Sequence, residues 1–343
     1  MALERTFFGT TAGGISVDLF TLRNDAGAIV KLTSYGARLT ELHVPDRHGR
    51  TGNVALGFDS LARYLAKDPH MGCTIGRVAN RIANARFHLD GVEYVLEQNN
   101  GRHNLHSGTR GYDKVVWQAE PRDGQEPAVV FRHVCPHMAD LFPGTLAVEV
   151  VYTLTASSEL RIEYSATTDR PTIVNLTNHT YFNLRGAGRG DVLDHVLTLH
   201  ASRYTPADQD LIPTGQIREV RGTPFDFTSP HRIGERIAQV APGYDVNYVL
   251  DSGGGRLAPA ARLLEETSGR LLEVFTTQPG IQLYTGNFLD GLPGIGGPYH
   301  RHYGLCLETQ HFPDSVHHPN FPSTVLRPGE IYRQVTVYRF STV

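Results

Sequence analysis

The sequence predicts an all-β protein, and three observations carry that prediction. Apolar residues recur with a period of two in short runs; glycine and proline, 35 and 20 of the 343 residues, punctuate those runs; and helical periodicity is scarce. Only Ser60 to Leu65, and a turn around Ile233 to Ala238 that Pro230 introduces, suit a helix.

In chain order, strands are predicted first at Val17 to Leu22, Ala28 to Thr33 and Arg38 to His43. Phe87 to Leu89 and Val92 to Leu96 follow, joined by Asp90-Gly91. Asp-Gly suits a tight hairpin turn, because both central residues must accept positive φ. Leu146, Val148, Val150, Tyr152 and Leu154 share one face of the next run, and Leu160, Ile162 and Tyr164 continue after a short turn, which predicts an antiparallel pair. Val174 to Leu184 then reads as one strand in or beside the same sheet. Later strands are predicted at Val196 to His200, Asp245 to Leu250, Leu271 to Thr276, Gly280 to Tyr284, Gly304 to Thr309 and Gln334 to Phe340. No repeat or linker divides the chain, so residues 1–343 are expected to form a single domain. Gly253-Gly254-Gly255 is a loop tip; no Lys-Ser/Thr follows it to make a phosphate cradle.

Hydrophobic residues at 40% and charged residues at 20% fit a globular protein. A net charge of -3 and a pI of about 6.6 point to no nucleic acid and no anionic membrane as partner, and favour a neutral small molecule. The stretch from Met1 to Thr6 lacks a basic region followed by an apolar run, and no segment approaches the ~20 apolar residues of a membrane span, so a cytoplasmic location is expected. Cys73, Cys135 and Cys306 are scattered and lack metal-ligand spacing, which suits reduced thiols.

Polar residues on otherwise apolar strands mark the candidate site. Alternation along Val174 to Leu184 sets Asn175, Thr177, His179, Tyr181 and Asn183 on a polar face, which would turn His179 into a wet cleft. In Gly304 to Gln310, Glu308 leaves the face of Leu305, Leu307 and Thr309. Alone it would pass for a solvated carboxylate on an edge strand, but Gln282 and Tyr284 likewise share the face opposite Ile281 and Leu283. Asn80 and Arg81 are adjacent donors among small residues, a setting suited to sugar hydroxyls, whereas Arg77 suits an internal anchor. His106 lies in a glycine-bordered loop, and Asp245 starts a strand. His300, His302, His311, His317 and His318 offer His-X-His or His-His spacing without a complete ligand set, so no metal and no other cofactor is expected.

The runs Gly76 to Ile82, Asn104 to Gly108, Gly111 to Lys114 with Trp117, Asn175 to Leu184, Tyr244-Asp245, Thr276 to Gly291 and Leu307 to Gln310 with Pro313-Asp314 together resemble the aldose 1-epimerases, the mutarotases of free hexoses. The resemblance covers nearly the whole chain in order and ends in Leu326 to Tyr332. It implies a galactose-mutarotase-like β-supersandwich of antiparallel sheets. It also implies that Glu308 is the general base and His179 the general acid, with Asn80, Arg81, His106, Asp245 and Gln282 binding an aldohexose and His106 near the ring oxygen. His311-Phe312-Pro313 departs from the Asn-Trp of many members without touching a catalytic position.

Interconverting anomers needs one base and one acid and no redox step. Glu, with a reference pKa of ~4.3, is ionised at neutral pH, and a carboxylate near His179 would favour its imidazolium. The two groups are expected to stand about one sugar ring apart. Rivals are a hexose-6-phosphate epimerase with extra basic residues at the mouth, a glycoside hydrolase pairing Glu308 with Asp245, and a non-catalytic sugar-binding module. Either a monomer or a homodimer is compatible with the sequence.

Overall fold

The structure is a computed structural model describing residues 2–66 and 68–343. A nine-stranded sheet forms its broadest layer, in the order Gln118–Arg122, Ala128–Cys135, Leu146–Leu154, Glu159–Thr168, Tyr332–Thr342, Arg270–Thr276, Ala258–Leu264, Val196–Leu199 and His231–Arg232. A six-stranded sheet runs Tyr181–Phe182, Leu305–Gln310, Gly280–Tyr284, Asp245–Val249, Arg203–Thr205 and Arg218–Glu219. The N-terminal segment folds into a third sheet of five strands from Ala2–Thr10 to Thr51–Asn53. Every pairing between these strands is antiparallel, as short alternating runs with tight turns demand.

Period-two alternation turns one face of each sheet inward. Phe20, Leu32 and Leu39 from the five-stranded sheet, Val148, Ile162 and Val274 from the nine-stranded sheet, and Ile281, Leu283, Leu305 and Leu307 from the six-stranded sheet join one buried cluster. Burying each such side chain contributes about 1.5–3 kcal/mol. This is the all-β layered architecture that the sequence predicts. Asp90 (φ 50°) and Gly91 (φ 81°) make the expected turn between Arg86–Leu89 and Val92–Val95. The one α-helix among the described residues is the five-residue turn Leu61–Leu65, and Ile233–Glu235 and Ile237–Gln239 are 3-10 turns. Among the described residues no helix is long and apolar enough to cross a membrane.

One strand differs from expectation. Val174 to Leu184 is not continuous but breaks into short pieces that pair with different partners. Asn175 makes an isolated bridge to Val78, Thr177–Asn178 pairs with Thr74–Ile75, and Tyr181–Phe182 with Leu305–Gln310. It lies beside the Leu146–Leu154 sheet rather than in it: Asn178 Nδ2 donates to Tyr152 Oη and Leu176 N–H to Tyr332 Oη, each across 3.2 Å, and the Phe182 ring packs on Tyr338. Both faces of the segment are buried, so its polar residues are satisfied by protein rather than by water. Asn175 exchanges hydrogen bonds with the backbone of His311, Thr177 Oγ1 donates to the Thr309 carbonyl, and Asn183 Nδ2 donates to the carbonyls of Gly190 and Tyr303.

Candidate active site

Three neighbouring strands of the six-stranded sheet supply the floor. Their register aligns Asn247 with Gln282 and Gln282 with Glu308, and one row away Asp245 with Tyr284 and Tyr284 with Cys306. Side chains two residues apart share a face, so Asp245, Gln282, Tyr284 and Glu308 stand together, opposite the buried Ile281, Leu283 and Leu307. The Leu305–Gln310 strand lies between two others, and Glu308 is 2% exposed; it is not an edge-strand carboxylate in water. Tyr181 pairs with Cys306 in the next strand, and His179, two residues earlier, closes that flank.

Loops from the other side of the chain supply the wall. Gly76 is required there, since a Cβ would fall 2.2 Å from the ring of Tyr112. Arg77 is the anchor that the sequence predicts: fully buried, it reaches Asp140 at 3.2 Å and the Pro143 and Gly144 carbonyls at 2.7 and 3.0 Å. Asn80 and His106 both adopt left-handed backbone (φ 62° and 52°), a conformation that non-glycine residues keep only when surroundings enforce it. Here each enforces the other: Asn80 N–H donates to His106 Nδ1 at 3.1 Å, and His106 N–H to the Asn80 carbonyl at 2.9 Å.

All seven residues singled out in the sequence meet at one place. Asn80, Arg81, His106, His179, Asp245 and Glu308 line a cavity of about 190 Å³, together with His70, Tyr284 and Phe288. Asn80, Arg81, Asp245 and Phe288 also border a second cavity of about 250 Å³ that Gln282 lines. Gln282 Nε2 donates to Asp245 Oδ1 at 2.6 Å, and Arg81 Nη1 faces Asp245 Oδ2 at 4.0 Å. His70 carries no sequence signal: it sits in a loop outside any periodic run, and only its place in the fold brings it here.

Two expectations about the central pair are overturned. Glu308 Oε1 lies 3.6 Å from His179 Nε2, nearer than a sugar ring would allow. The reason is the register: Tyr181 pairs with Cys306 on antiparallel strands, so His179, two residues before the one, comes opposite Glu308, two residues after the other. Charge is the second correction. Burial pushes the His179 pKa down to about 3, and the carboxylate of Asp113, which acts to raise it, does not offset the loss of water. Burial likewise lifts the Glu308 carboxyl well above its usual range, with Asp245 adding to the rise and Arg81 opposing it. The pocket therefore favours a protonated Glu308 beside a neutral His179. Cys306 Sγ lies 3.5 Å from His179 Nδ1, and burial raises its thiol well above the usual range, which is unsuited to a nucleophile.

His300, His302, His311, His317 and His318 form no three-residue metal-ligand group among the described residues. The groups that do converge are His106, His179 and Glu308, and His70, Cys73 and Asp113. In the first, His106 Nδ1 accepts the Asn80 N–H, which leaves its other nitrogen protonated in the neutral ring and facing the cavity as a donor rather than a ligand.

A family profile described as aldose 1-epimerase matches residues 18–339. The galactose mutarotase of Rattus norvegicus is 46% identical over 345 residues, covering 99% of each chain, and the aldose 1-epimerase of Escherichia coli K12 is 38% identical over 330 residues, covering 94% of each. A solved aldose epimerase homologue from C. elegans superposes with a TM-score of 0.88 at 34% identity, covering 95% of this chain and 99% of that one. With the profile spanning almost the full length and identity this high over whole chains, the protein belongs to the aldose 1-epimerase family.

Proposed function

We propose that this chain interconverts the α and β anomers of free hexoses such as glucose and galactose, with Glu308 as base and His179 as acid. The observation that carries the reading is their 3.6 Å approach at the floor of a cavity whose other polar groups bind hydroxyls. Glu308 takes the proton from the C1 hydroxyl, and the O–H electron pair forms the C1 carbonyl. The bond from C1 to the ring oxygen breaks, its pair goes to that oxygen, and His179 protonates it. Rotation about C1–C2 turns the other carbonyl face to the ring hydroxyl. Reclosure returns one proton to His179 and one to the new C1 hydroxyl, so the cycle ends as it began.

The ionised pair that starts this sequence differs from the protonated Glu308 and neutral His179 of the free pocket by the position of one proton. A polar sugar favours the ionised form, replacing solvent with hydroxyl hydrogen bonds. Arg81 supplies positive charge where negative charge develops on a sugar oxygen, and Asn80, His106, Asp245 and Gln282 hold the ring hydroxyls. Among the described residues Arg81 is, apart from histidines, the one cationic side chain lining the cavity, and it faces Asp245, so nothing there favours the phosphorylated sugar.

Residues 1–343 act in this reading as a single domain, monomeric or homodimeric, in the cytoplasm; three unpaired buried cysteines suit a reducing compartment. Polarimetry of fresh α-glucose and α-galactose tests the activity. The protein should speed the change in rotation, whereas a hydrolase or a binding module leaves the spontaneous rate unchanged, and that result overturns the proposal.

A further inference from the structure

We propose that His70 is a further substrate-contacting residue, one that reads the C6 hydroxyl, borne on the hydroxymethyl group of C5 of the hexose. The inference rests on the reading of Glu308 at O1 and His179 at the ring oxygen, and adds to it a residue that neither the sequence motifs nor the assigned proton transfers include.

His70 is held as a positioned side chain would be. Its backbone is left-handed (φ 63°), and the loop is pinned on both sides of it: Tyr181 Oη donates to the Pro69 carbonyl at 3.0 Å, and Met71 N–H donates to Asp68 Oδ1 at 2.8 Å. Its Nδ1 lies 2.9 Å from Oδ2 of the buried Asp113, which Lys114 Nζ also meets at 2.5 Å. A carboxylate can only accept, so Nδ1 carries the proton, and in the neutral ring Nε2 offers a lone pair. That nitrogen has no protein partner among the described residues, and the ring, about a quarter exposed, lines the cavity.

The order of groups across the floor says which part of the sugar it meets. Asp245 and Gln282 stand on one flank of Glu308, and His179 stands on the other, with its ring centroid 5.7 Å from that of His70. In a pyranose, C1 has two ring neighbours, the ring oxygen and C2. With the ring oxygen at His179, C2 and its hydroxyl turn toward Gln282 and Asp245. C5, bonded to the ring oxygen, falls on the His179 flank and carries its hydroxymethyl group toward His70 and His106.

Those two rings are complementary. Their centroids are 4.7 Å apart; His106 presents an N–H because its Nδ1 accepts from Asn80, and the neutral form of His70 presents a lone pair, because its Nδ1 donates to Asp113. A hydroxyl gives one hydrogen and accepts another, so the pair can satisfy both valences of one C6 hydroxyl.

The test compares galactose with 6-deoxygalactose, which lacks only that hydroxyl, in the full-length protein and in His70→Phe. A neutral hydrogen bond contributes about 1 kcal/mol, so His70 should account for roughly fivefold of the wild-type preference for galactose in kcat/KM, and His70→Phe, which keeps only the His106 bond, should lose that share. His70→Gln, which keeps an acceptor, should restore part of the preference and serves as the second variant if the phenylalanine disturbs folding. An unchanged preference in His70→Phe, or a wild-type protein that does not distinguish the sugars, overturns the inference. Failure of the wild-type protein to accelerate either sugar would instead overturn the proposed activity itself.

Discussion

Glu308 Oε1 and His179 Nε2 face each other at 3.6 Å with both side chains almost fully buried, close enough to act on one substrate bond in the proposed reaction. Removing either should therefore disable the same step. Glu308→Gln and His179→Asn are each expected to lower kcat by about 10²–10⁴ with a smaller change in KM, and the double variant should lose little more than the worse single one. Polarimetric kinetics on all three, with circular dichroism to show that they fold, checks this; near wild-type rates in both single variants would refute the pairing.

Arg77 and Arg81 sit four residues apart in one motif and should fail in different ways. Arg77 is an internal tie to Asp140 and two carbonyls, and cutting a buried ion pair on one side costs about 3–5 kcal/mol. Arg77→Ala is thus expected to lower the denaturation midpoint sharply, while Arg81→Ala leaves the midpoint nearly unchanged and raises KM. Urea titration beside steady-state kinetics separates the two. A stable Arg77→Ala protein would show that the anchor carries no load.

The strand frame of the site is legible in the sequence, because a half-buried sheet writes its register as alternation. Gln282 and Tyr284, then Glu308, leave the apolar face at consecutive strands, and the structure sets Gln282 directly opposite Glu308. Val174 to Leu184 resisted the same rule. It is buried on both faces and changes partner every few residues, so alternation carries no information about which side chain meets the cavity. His70 has no pattern at all, since a loop position is assigned to a site only by tertiary contact. Ionisation was misjudged for a related reason: the His179 pKa is governed by how completely the fold excludes water, which residue types alone do not report.

Acid should weaken the fold through histidines that play no part in the chemistry. Burial lowers the pKa of both His195 and His311 from 6.5 to about 4. Their folded values lie below the unfolded one, so the unfolded chain binds more protons as pH drops. The stability they contribute is present above about pH 6.5 and is lost as pH falls toward 4. His195 Nε2 accepts the Leu184 N–H at 3.0 Å, a bond that an amide oxygen can keep. Urea midpoints measured at neutral pH and near pH 4.5 should fall less in His195→Gln than in the wild-type protein. An equal fall in both would remove His195 from the account.

Two charges pull the Glu308 carboxyl in opposite directions, and this gives the sharpest check on its role as base. Asp245 raises its pKa and Arg81 lowers it, on top of the rise caused by burial. A base works deprotonated, so the acidic limb of kcat/KM against pH follows the Glu308 pKa in the free enzyme. Asp245→Asn removes a neighbouring negative charge and should move that limb to lower pH; Arg81→Met removes a positive one and should move it to higher pH. Both side chains face the sugar, so both variants will also be slower, and the evidence lies in the direction of the shifts rather than in the height of the profiles. Shifts of the same sign, or none, would mean that the group titrating in the acidic limb is not Glu308.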